Sequence, residues 1–576
     1  MCICRKEGIL VSEKEVSNTE EEKSGIGAES LMKGTFILTL AGIVVKVIGA
    51  LNWMFVSRVL GGEGIGLYQM AFPIYFFALS VSTAGVPVAI SIITAERVAV
   101  RDIFGAKRVF RLSMWLMVIT GLIFSALTYF GAEWLIEWRF IRDPRAYSAV
   151  VALAPAVFFV TIIASSRGYL QGWQWMTPTA VSQIYEQIFR VVTMVLLAEL
   201  FLPYGLEYAA AGASLGALAG AVIAVIVLVW YHIKLNRNIE REFTPEELLP
   251  REDEYETSAL KILKRIFDLA LPVSVTSIML PVVSNLDLVI VPQRLEVAGY
   301  TVAESTELFG YLTGMAVPLI NLATIMTASL AVSIIPVLSE AKALGNVAKV
   351  YESTASSMRI SNFVCFPAFV VVLVLAEPIA TLFYNAPSAG PAVASCSISI
   401  VLLGLHQVST GILQGLGHTN IPMINMIIAA AVKVMLNWTL TADPRLGIMG
   451  AAYATAADMG VAAFINIYFI NKYIGYKMEI GKLVKTVAAS VVMAGATWWS
   501  FQQLFAVMPS NTIATFGAVF FGCAIYIAVM IIIGGIDEKD MEQVPILGRH
   551  TIKLLRRIGV FKEKPAEAAD SSGERQ

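Results

Sequence analysis

What most limits the fold of this chain is the recurrence of long apolar stretches. About fourteen runs of roughly twenty residues follow one another, from 35–58 at one end to 512–534 at the other, with polar breaks between them. A helix needs about 20 apolar residues to cross roughly 30 Å of hydrocarbon, so each run suffices for one crossing. Apolar residues make up 57% of the 576 and charged residues only 15%, more hydrocarbon than a soluble core can hide. An open sheet would leave backbone groups unpaired in lipid, and no ten-residue alternating pattern recurs to suggest a barrel. The expected class is therefore all-α integral membrane, with about fourteen transmembrane helices.

Charge placement sets the expected orientation. Arg97, Arg101, Lys107, Arg108 and Arg111 occupy the second connection, and Lys234, Arg237, Arg241, Arg251, Lys261, Lys264 and Arg265 the sixth. Lys342, Lys349, Lys472, Lys477, Lys482 and Lys485 fall on the same side, which the positive-inside bias assigns to the cytoplasm together with both termini. Residues 1–30 are polar and acid-rich, without the order of a cleaved export signal, so the first run is expected to be an anchor in the cytoplasmic membrane. The tail beyond 537 is basic, and its 544–561 stretch mixes Ile and Leu with Arg and Lys in a pattern suited to an anionic leaflet.

Several function classes drop out. A net charge of -1 offers no basic surface for nucleic acid. Cys2, Cys4, Cys365, Cys396 and Cys523 form neither a disulfide framework nor a metal-ligand pattern. With no nucleophile–base set and no nucleotide loop, neither an enzyme nor a cofactor is expected. Gly61-Gly62-Glu63-Gly64-Ile65-Gly66 lacks a following Gly-Lys-Ser/Thr and reads as a tight turn. Trp134, Trp138, Trp173, Trp175, Trp498 and Trp499 read as interfacial belts.

The hydrophilic insertion at 235–267 divides the chain, and the two sides repeat one another. Gly168-Tyr169-Leu170-Gln171-Gly172 returns as Gly411-Ile412-Leu413-Gln414-Gly415, followed in each case by a proline, Pro178 or Pro422. Arg190 then falls in register with Lys433, Ala71-Phe72-Pro73 with Ala316-Val317-Pro318, and Ala211-Gly212-Ala213 with Met449-Gly450-Ala451. Six helices per repeat make it parallel, an arrangement that usually binds cargo at midplane where the repeats meet. The expected organisation is a polar tail at 1–30, a six-helix lobe at 31–234, a linker at 235–267, a second lobe at 268–471, two extra helices at 472–536 and a basic tail at 537–576. Prolines 73, 87, 155, 272, 281, 318, 336 and 367 fall inside apolar runs, where they permit bends.

The motifs carry a resemblance. Lys33-Gly34-Thr35, Lys46-Val47-Ile48-Gly49, Gly64-Ile65-Gly66-Leu67-Tyr68-Gln69-Met70 and Gly85-Val86-Pro87-Val88-Ala89-Ile90-Ser91 resemble the stage V sporulation protein B and polysaccharide-biosynthesis branch of the multidrug/oligosaccharidyl-lipid/polysaccharide exporter superfamily. The resemblance implies a fourteen-helix flippase for undecaprenyl-pyrophosphate-linked sugars, including lipid II, serving wall, cortex or polysaccharide synthesis. Lys46 matches a cavity arginine of the lipid II flippases. Two further arginines of that pattern fall near Asn52 and in an uncharged part of the second helix, implying a less cationic cavity.

Charges inside spans are costly and mark function or pairing. Lys46, Arg58, Arg190 and Lys433 are the candidate substrate contacts, since cations suit a pyrophosphate. Glu186, four residues before Arg190, reads equally as its neutralising partner. Asp287, with Asn285 beside it, and Asp458 are candidates for holding a coupling H⁺ or Na⁺, or for pairing with the buried lysines. His406 and Asn321 are read mainly as helix-to-helix hydrogen-bonding groups. The expected partners are a lipid-linked sugar, membrane lipids and envelope-synthesis enzymes, with the chain a monomer. Two rival readings share the sequence: a cation-coupled multidrug antiporter, and a non-transporting scaffold for envelope enzymes.

Overall fold

The computed structural model describes residues 31–83, 85–244, 249 and 258–535. The 1–30 stretch, most of the polar segment around 245–257 and the 537–576 tail lie outside the described residues, and with them Cys2, Cys4 and the 544–561 pattern. The described residues form helices and no strand. The chain divides into two compact units, Met1–Val289 and Ile290–Gln576.

The first unit contains α1 (Leu31–Thr83), α2 (Val86–Ala99), α3 (Ile103–Glu137), α4 (Tyr147–Gly172), α5 (Thr177–Phe201) and α6 (Leu206–Glu242). Helix α7 (Ala259–Val297) starts in it. Helix α1 turns a corner at Gly61, whose φ of 64° and ψ of -172° suit a residue without Cβ. That corner is the turn expected of the Gly-rich stretch. Arg145, in the connection before α4, clamps it from outside through Glu63 and Asp143, each at 2.7 Å.

Helices α5 and α6 approach closely because α6 carries Gly212, Gly216 and Gly220 four residues apart. A Cβ on Gly212 would stand 2.6 Å from the Leu197 carbonyl, on Gly216 2.7 Å from that of Arg190, and on Gly220 2.6 Å from that of Glu186. In lipid the helices gain little from hydrophobicity alone, so small residues that admit backbone contact supply the packing. The stripe holds α5 by its backbone and leaves the side chains of Glu186 and Arg190 to project elsewhere.

The tryptophans divide in two. Trp134, Trp138, Trp498 and Trp499 are exposed, as a belt would be, but Trp173 and Trp175 are buried. Gln174, at a φ of 56°, tucks both indoles into an aromatic core. Trp173 there meets Tyr169 and Phe243, and Trp175 meets Tyr231.

The second unit contains α8 (Val302–Gly310), α9 (Val317–Ala323), α10 (Ile325–Ala343), α11 (Val347–Val374), α12 (Ala376–Tyr384), α13 (Gly390–Cys396) and α14 (Ser399–Gly415). It continues with α15 (Asn420–Leu440), α16 (Ile448–Ile474), α17 (Ile480–Val507) and α18 (Asn511–Ile532). A π-turn over Tyr311–Ala316, followed by Pro318 at the start of α9, breaks the first apolar run of this unit. The Tyr384 hydroxyl donates to the Met315 carbonyl at 3.1 Å, tying that irregular backbone to α12. Prolines 73, 155, 336 and 367 lie within helices, whereas Pro87 and Pro318 open them. Helices α17 and α18 pack on α11 through Met493, Tyr526 and Met530 against Phe363 and Val371.

Eleven stretches of the described residues are long and apolar enough to cross a membrane, or twelve with the bent pair at α13–α14. One of the eleven, Leu40–Ala99, is 60 residues long and includes the Gly61 corner. At 1.5 Å per residue that is about 90 Å of helix, enough for two crossings of a ~30 Å core. With α7 added, the architecture accommodates fourteen passages.

The α5–α6 seam makes a direct prediction. Gly220→Val is expected to force the helices apart at the Glu186 carbonyl and destabilise the protein by about 1–3 kcal/mol. Thermal unfolding in detergent should show a lowered midpoint, while Gly481→Ala, where nothing lies within 4 Å of an added Cβ, should not.

Candidate functional site

Three charged side chains meet inside the first unit, on helices that qualify as membrane spans. Glu186 of α5 accepts from Arg190 at 2.7 Å, one turn along the same helix, and from Arg167 of α4 at 2.9 Å. Arg167 also donates through Nε to the Ser182 hydroxyl at 3.0 Å. Ser182, Glu186 and Arg190 are spaced four apart, so one face of α5 presents all three. All three ionic side chains are mostly buried, with 18%, 16% and 24% exposure for Arg167, Glu186 and Arg190.

Two guanidiniums around one carboxylate leave an excess positive charge in a low-dielectric interior, where such a charge is costly unless an anion or water offsets it. Donors are also left over. The Arg190 Nε and the Tyr75 hydroxyl are buried with no hydrogen-bond partner among the described residues. Tyr68 and Tyr75 of α1 lie close enough to Arg190 to interact with it electrostatically. Chemically, such a cluster can receive a negative, oxygen-rich group.

The Glu186–Arg190 pair expected from the i, i+4 spacing is present, but its third member, Arg167, was not among the charges read from the spans. It stands one residue before the repeated Gly168–Gly172 block, at the end of an apolar run. The repeat gives the signal that could have found it: the register that aligns Gly168 with Gly411 sets Arg167 against neutral Thr410.

The same register exposes a contrast with the second unit. Ser182 aligns with Asn425, and Glu186 with Ala429. There the helices are joined by neutral bonds: Asn425 donates to Asn466 at 2.7 Å, and Asn466 donates to Thr410 at 3.0 Å and Ser409 at 3.2 Å. Lys433 and Asp458 are buried, at 6% and 8% exposure. Gly212 aligns with Gly450, which sets Asp458 where Gly220 faces Glu186 and Arg190. In that register the acid falls on the neighbouring helix, and not four residues before the cation as Glu186 does.

The other sequence candidates are placed more singly. Lys46 is exposed on α1, one turn before Gly49, where an added Cβ would stand 3.4 Å from the Gln187 amide of α5. Asn52, one turn further, donates to the Met194 sulfur of α5 at 3.2 Å, so Lys46 borders the α1–α5 seam that also holds the cluster. Arg58 is exposed towards the Gly61 corner. Asn285 donates to the carbonyls of Pro281 and Pro73, both at 2.8 Å, bracing the backbone of α1 near a proline. Asp287 is half-buried on α7. The Nδ1 of His406 is buried and has no partner among the described residues. No group of three or more metal-ligating side chains occurs among the described residues.

Two expected outcomes follow. Glu186→Gln leaves two buried guanidiniums facing each other and should cost about 1–3 kcal/mol of stability, read from thermal unfolding, with Ser182→Ala costing less. Lys433→Ala and Asp458→Ala should be non-additive by about 1–3 kcal/mol in a double-mutant cycle, as contacting charges are; additive effects would refute the register.

The comparisons with known proteins agree with this architecture. Residues 31–342 match the family model described as polysaccharide biosynthesis protein, and residues 272–439 match the MatE model. Stage V sporulation protein B of Bacillus subtilis (strain 168) is 29% identical over 530 residues, 91% of this chain and 99% of that protein. The lipid II flippase MurJ of the same organism is 25% identical over 485 residues, 81% of this chain and 87% of the flippase. A solved structure of lipid II flippase MurJ in an inward closed conformation superposes with a TM-score of 0.63 at 14% identity, covering 86% of this chain and 98% of that one. The chain is a multi-pass membrane protein that belongs to the polysaccharide biosynthesis protein family, in the flippase-like branch of the multidrug/oligosaccharidyl-lipid/polysaccharide exporter superfamily.

Proposed function

We propose that this protein flips an undecaprenyl-pyrophosphate-linked sugar, lipid II or a polysaccharide precursor, across the cytoplasmic membrane by alternating access. The observation that carries this reading is the Arg167–Glu186–Arg190 cluster, with its excess positive charge and the unsatisfied Arg190 Nε and Tyr75 hydroxyl. A pyrophosphate supplies the missing negative charge and several acceptor oxygens, and guanidinium forks bind such groups in directed pairs. Lys46 and Arg58, on the helix that packs against α5, are assigned to guiding the head group, and Lys433 to the equivalent position in the second unit. The names of the relatives, a sporulation protein and a lipid II flippase, support the same class of cargo.

Asp287, with Asn285 near it, and Asp458 are assigned to coupling, by taking up H⁺ or Na⁺ as the transporter cycles. The membrane potential can contribute as well, at about 2.3 kcal/mol per charge per 100 mV. A second reading, a cation-coupled multidrug antiporter, is favoured by the MatE match over 272–439. It calls for an acidic site able to receive cationic drugs, and the first unit offers the opposite polarity.

Reconstitution in liposomes separates the two. Prenyl-pyrophosphate sugars should be flipped by the wild type, and Arg190→Ala or Lys46→Ala should slow flipping about tenfold or more, the effect of losing roughly 1.4 kcal/mol of charge-assisted binding. Efflux of a cationic dye without flipping, or flipping unchanged by both substitutions, would overturn the proposal.

A further inference from the structure

A pocket of about 640 Å³ opens within the second unit, where the ends of α11 and α17 meet the starts of α12, α13 and α18. That volume falls in the ~300–1,000 Å³ usual for small-molecule sites. One wall is aromatic. Trp498, Phe501 and Phe505 are spaced three and four residues apart and so share a face of α17. The Phe501 and Phe505 rings stack with centroids 5.8 Å apart and 17° between their planes, and Trp498 is 57% exposed. Another wall carries Glu377, in the first turn of α12, where a carboxylate suits the positive end of the helix. The start of α13 fixes its base, since a Cβ added to Gly390 would stand 3.1 Å from the Glu377 Cβ. The carboxylate itself is exposed and makes no hydrogen bond or ion pair among the described residues. No Lys or Arg lines the pocket. Asn511 holds the rim together by donating to the Pro378 carbonyl at 2.9 Å, and Gln502, one turn after Trp498, adds an exposed amide.

We infer that this pocket binds the head group of an amine-bearing phospholipid of the phosphatidylethanolamine class, with the ammonium between the Glu377 carboxylate and the aromatic face of α17 and the phosphate at the Gln502 amide. Charge complementarity selects the occupant. A carboxylate without a protein cation attracts an ammonium by charge and accepts its N–H groups, and the faces of aromatic rings attract the same cation through their quadrupoles. An anionic head group would meet the Glu377 charge with no lysine or arginine to offset it. The course of α17 selects a lipid as the source of the amine. Val484, Val487 and Val491 are exposed, and their spacing continues the stripe that ends at Trp498, so an acyl chain can follow the helix down from the pocket. Helices α17 and α18 stand outside the internal repeat, and a lipid seated here would bridge them to α11, α12 and α13. This role is independent of the transported cargo.

Native mass spectrometry of the full-length protein in detergent, titrated with dioleoyl phosphatidylethanolamine or with the same lipid acetylated on its nitrogen, provides the test. The wild type should bind the free amine at least about fivefold more tightly than the acetylated lipid. Glu377→Gln should erase that preference, and Trp498→Leu, which keeps an apolar side chain without a ring face, should reduce it about twofold. Both positions are exposed, so both variants should keep lipid-free thermal midpoints close to the wild type, and a lost preference then reports binding and not misfolding. Equal binding of the two lipids by the wild type, or a preference that either substitution leaves intact, would overturn the inference. So would displacement of phosphatidylethanolamine by an excess of chitobiose, which would give the aromatic wall to a sugar.

Discussion

Glu186 held between Arg167 and Arg190 is the interaction on which this account turns. Ionic groups in the hydrocarbon layer are costly, and a chain retains them only where they pair, meet water or serve a ligand. Here the pairing is deliberately unequal. One carboxylate cannot neutralise two guanidiniums, and the surplus sits beside a tyrosine hydroxyl and an Arg190 Nε that have no protein acceptor among the described residues. The glycine stripe of α6 makes the arrangement rigid, since it grips α5 by the backbone at the residues whose side chains form the cluster.

The internal repeat shows how one helical scaffold was made to do two things. In the second unit the same three helices are joined by Asn425, Asn466, Ser409 and Thr410, a neutral network that needs no counter-ion. The acid that neutralises Arg190 from within α5 has its counterpart, Asp458, on the following helix. At this seam the first unit sets two arginines on one carboxylate, while the second joins the corresponding helices by neutral hydrogen bonds. In the proposed function, the first arrangement would receive the anionic cargo and Asp458 would serve the coupling ion.

How much of this was legible beforehand depended on the physical origin of each feature. The membrane class, the repeat and the Glu186–Arg190 pair follow from hydropathy and helical spacing, which are local properties. Hydropathy and spacing do not single out Arg167, because it stands near the end of α4 and only tertiary packing brings it to Glu186. Trp173 and Trp175 read as an interfacial belt because aromatic residues at a span end usually are one, yet the left-handed backbone at Gln174 turns them inward. Asn285 also braces α1, its amide nitrogen donating to the carbonyls of Pro281 and Pro73, a contact that only tertiary packing reveals. The broken course of 302–343 was also hidden, since a π-turn leaves no mark in hydropathy.

In the proposed function the surplus charge of the Arg167–Glu186–Arg190 cluster recognises pyrophosphate. Equilibrium titration of the purified protein with a short prenyl pyrophosphate and with the matching prenyl alcohol tests it most directly, in the wild type and in Arg190→Gln. The account predicts that the pyrophosphate binds at least about tenfold more tightly than the alcohol, that salt narrows the gap, and that Arg190→Gln largely removes it. Equal affinities for the two ligands, or a gap that Arg190→Gln leaves intact, would contradict it.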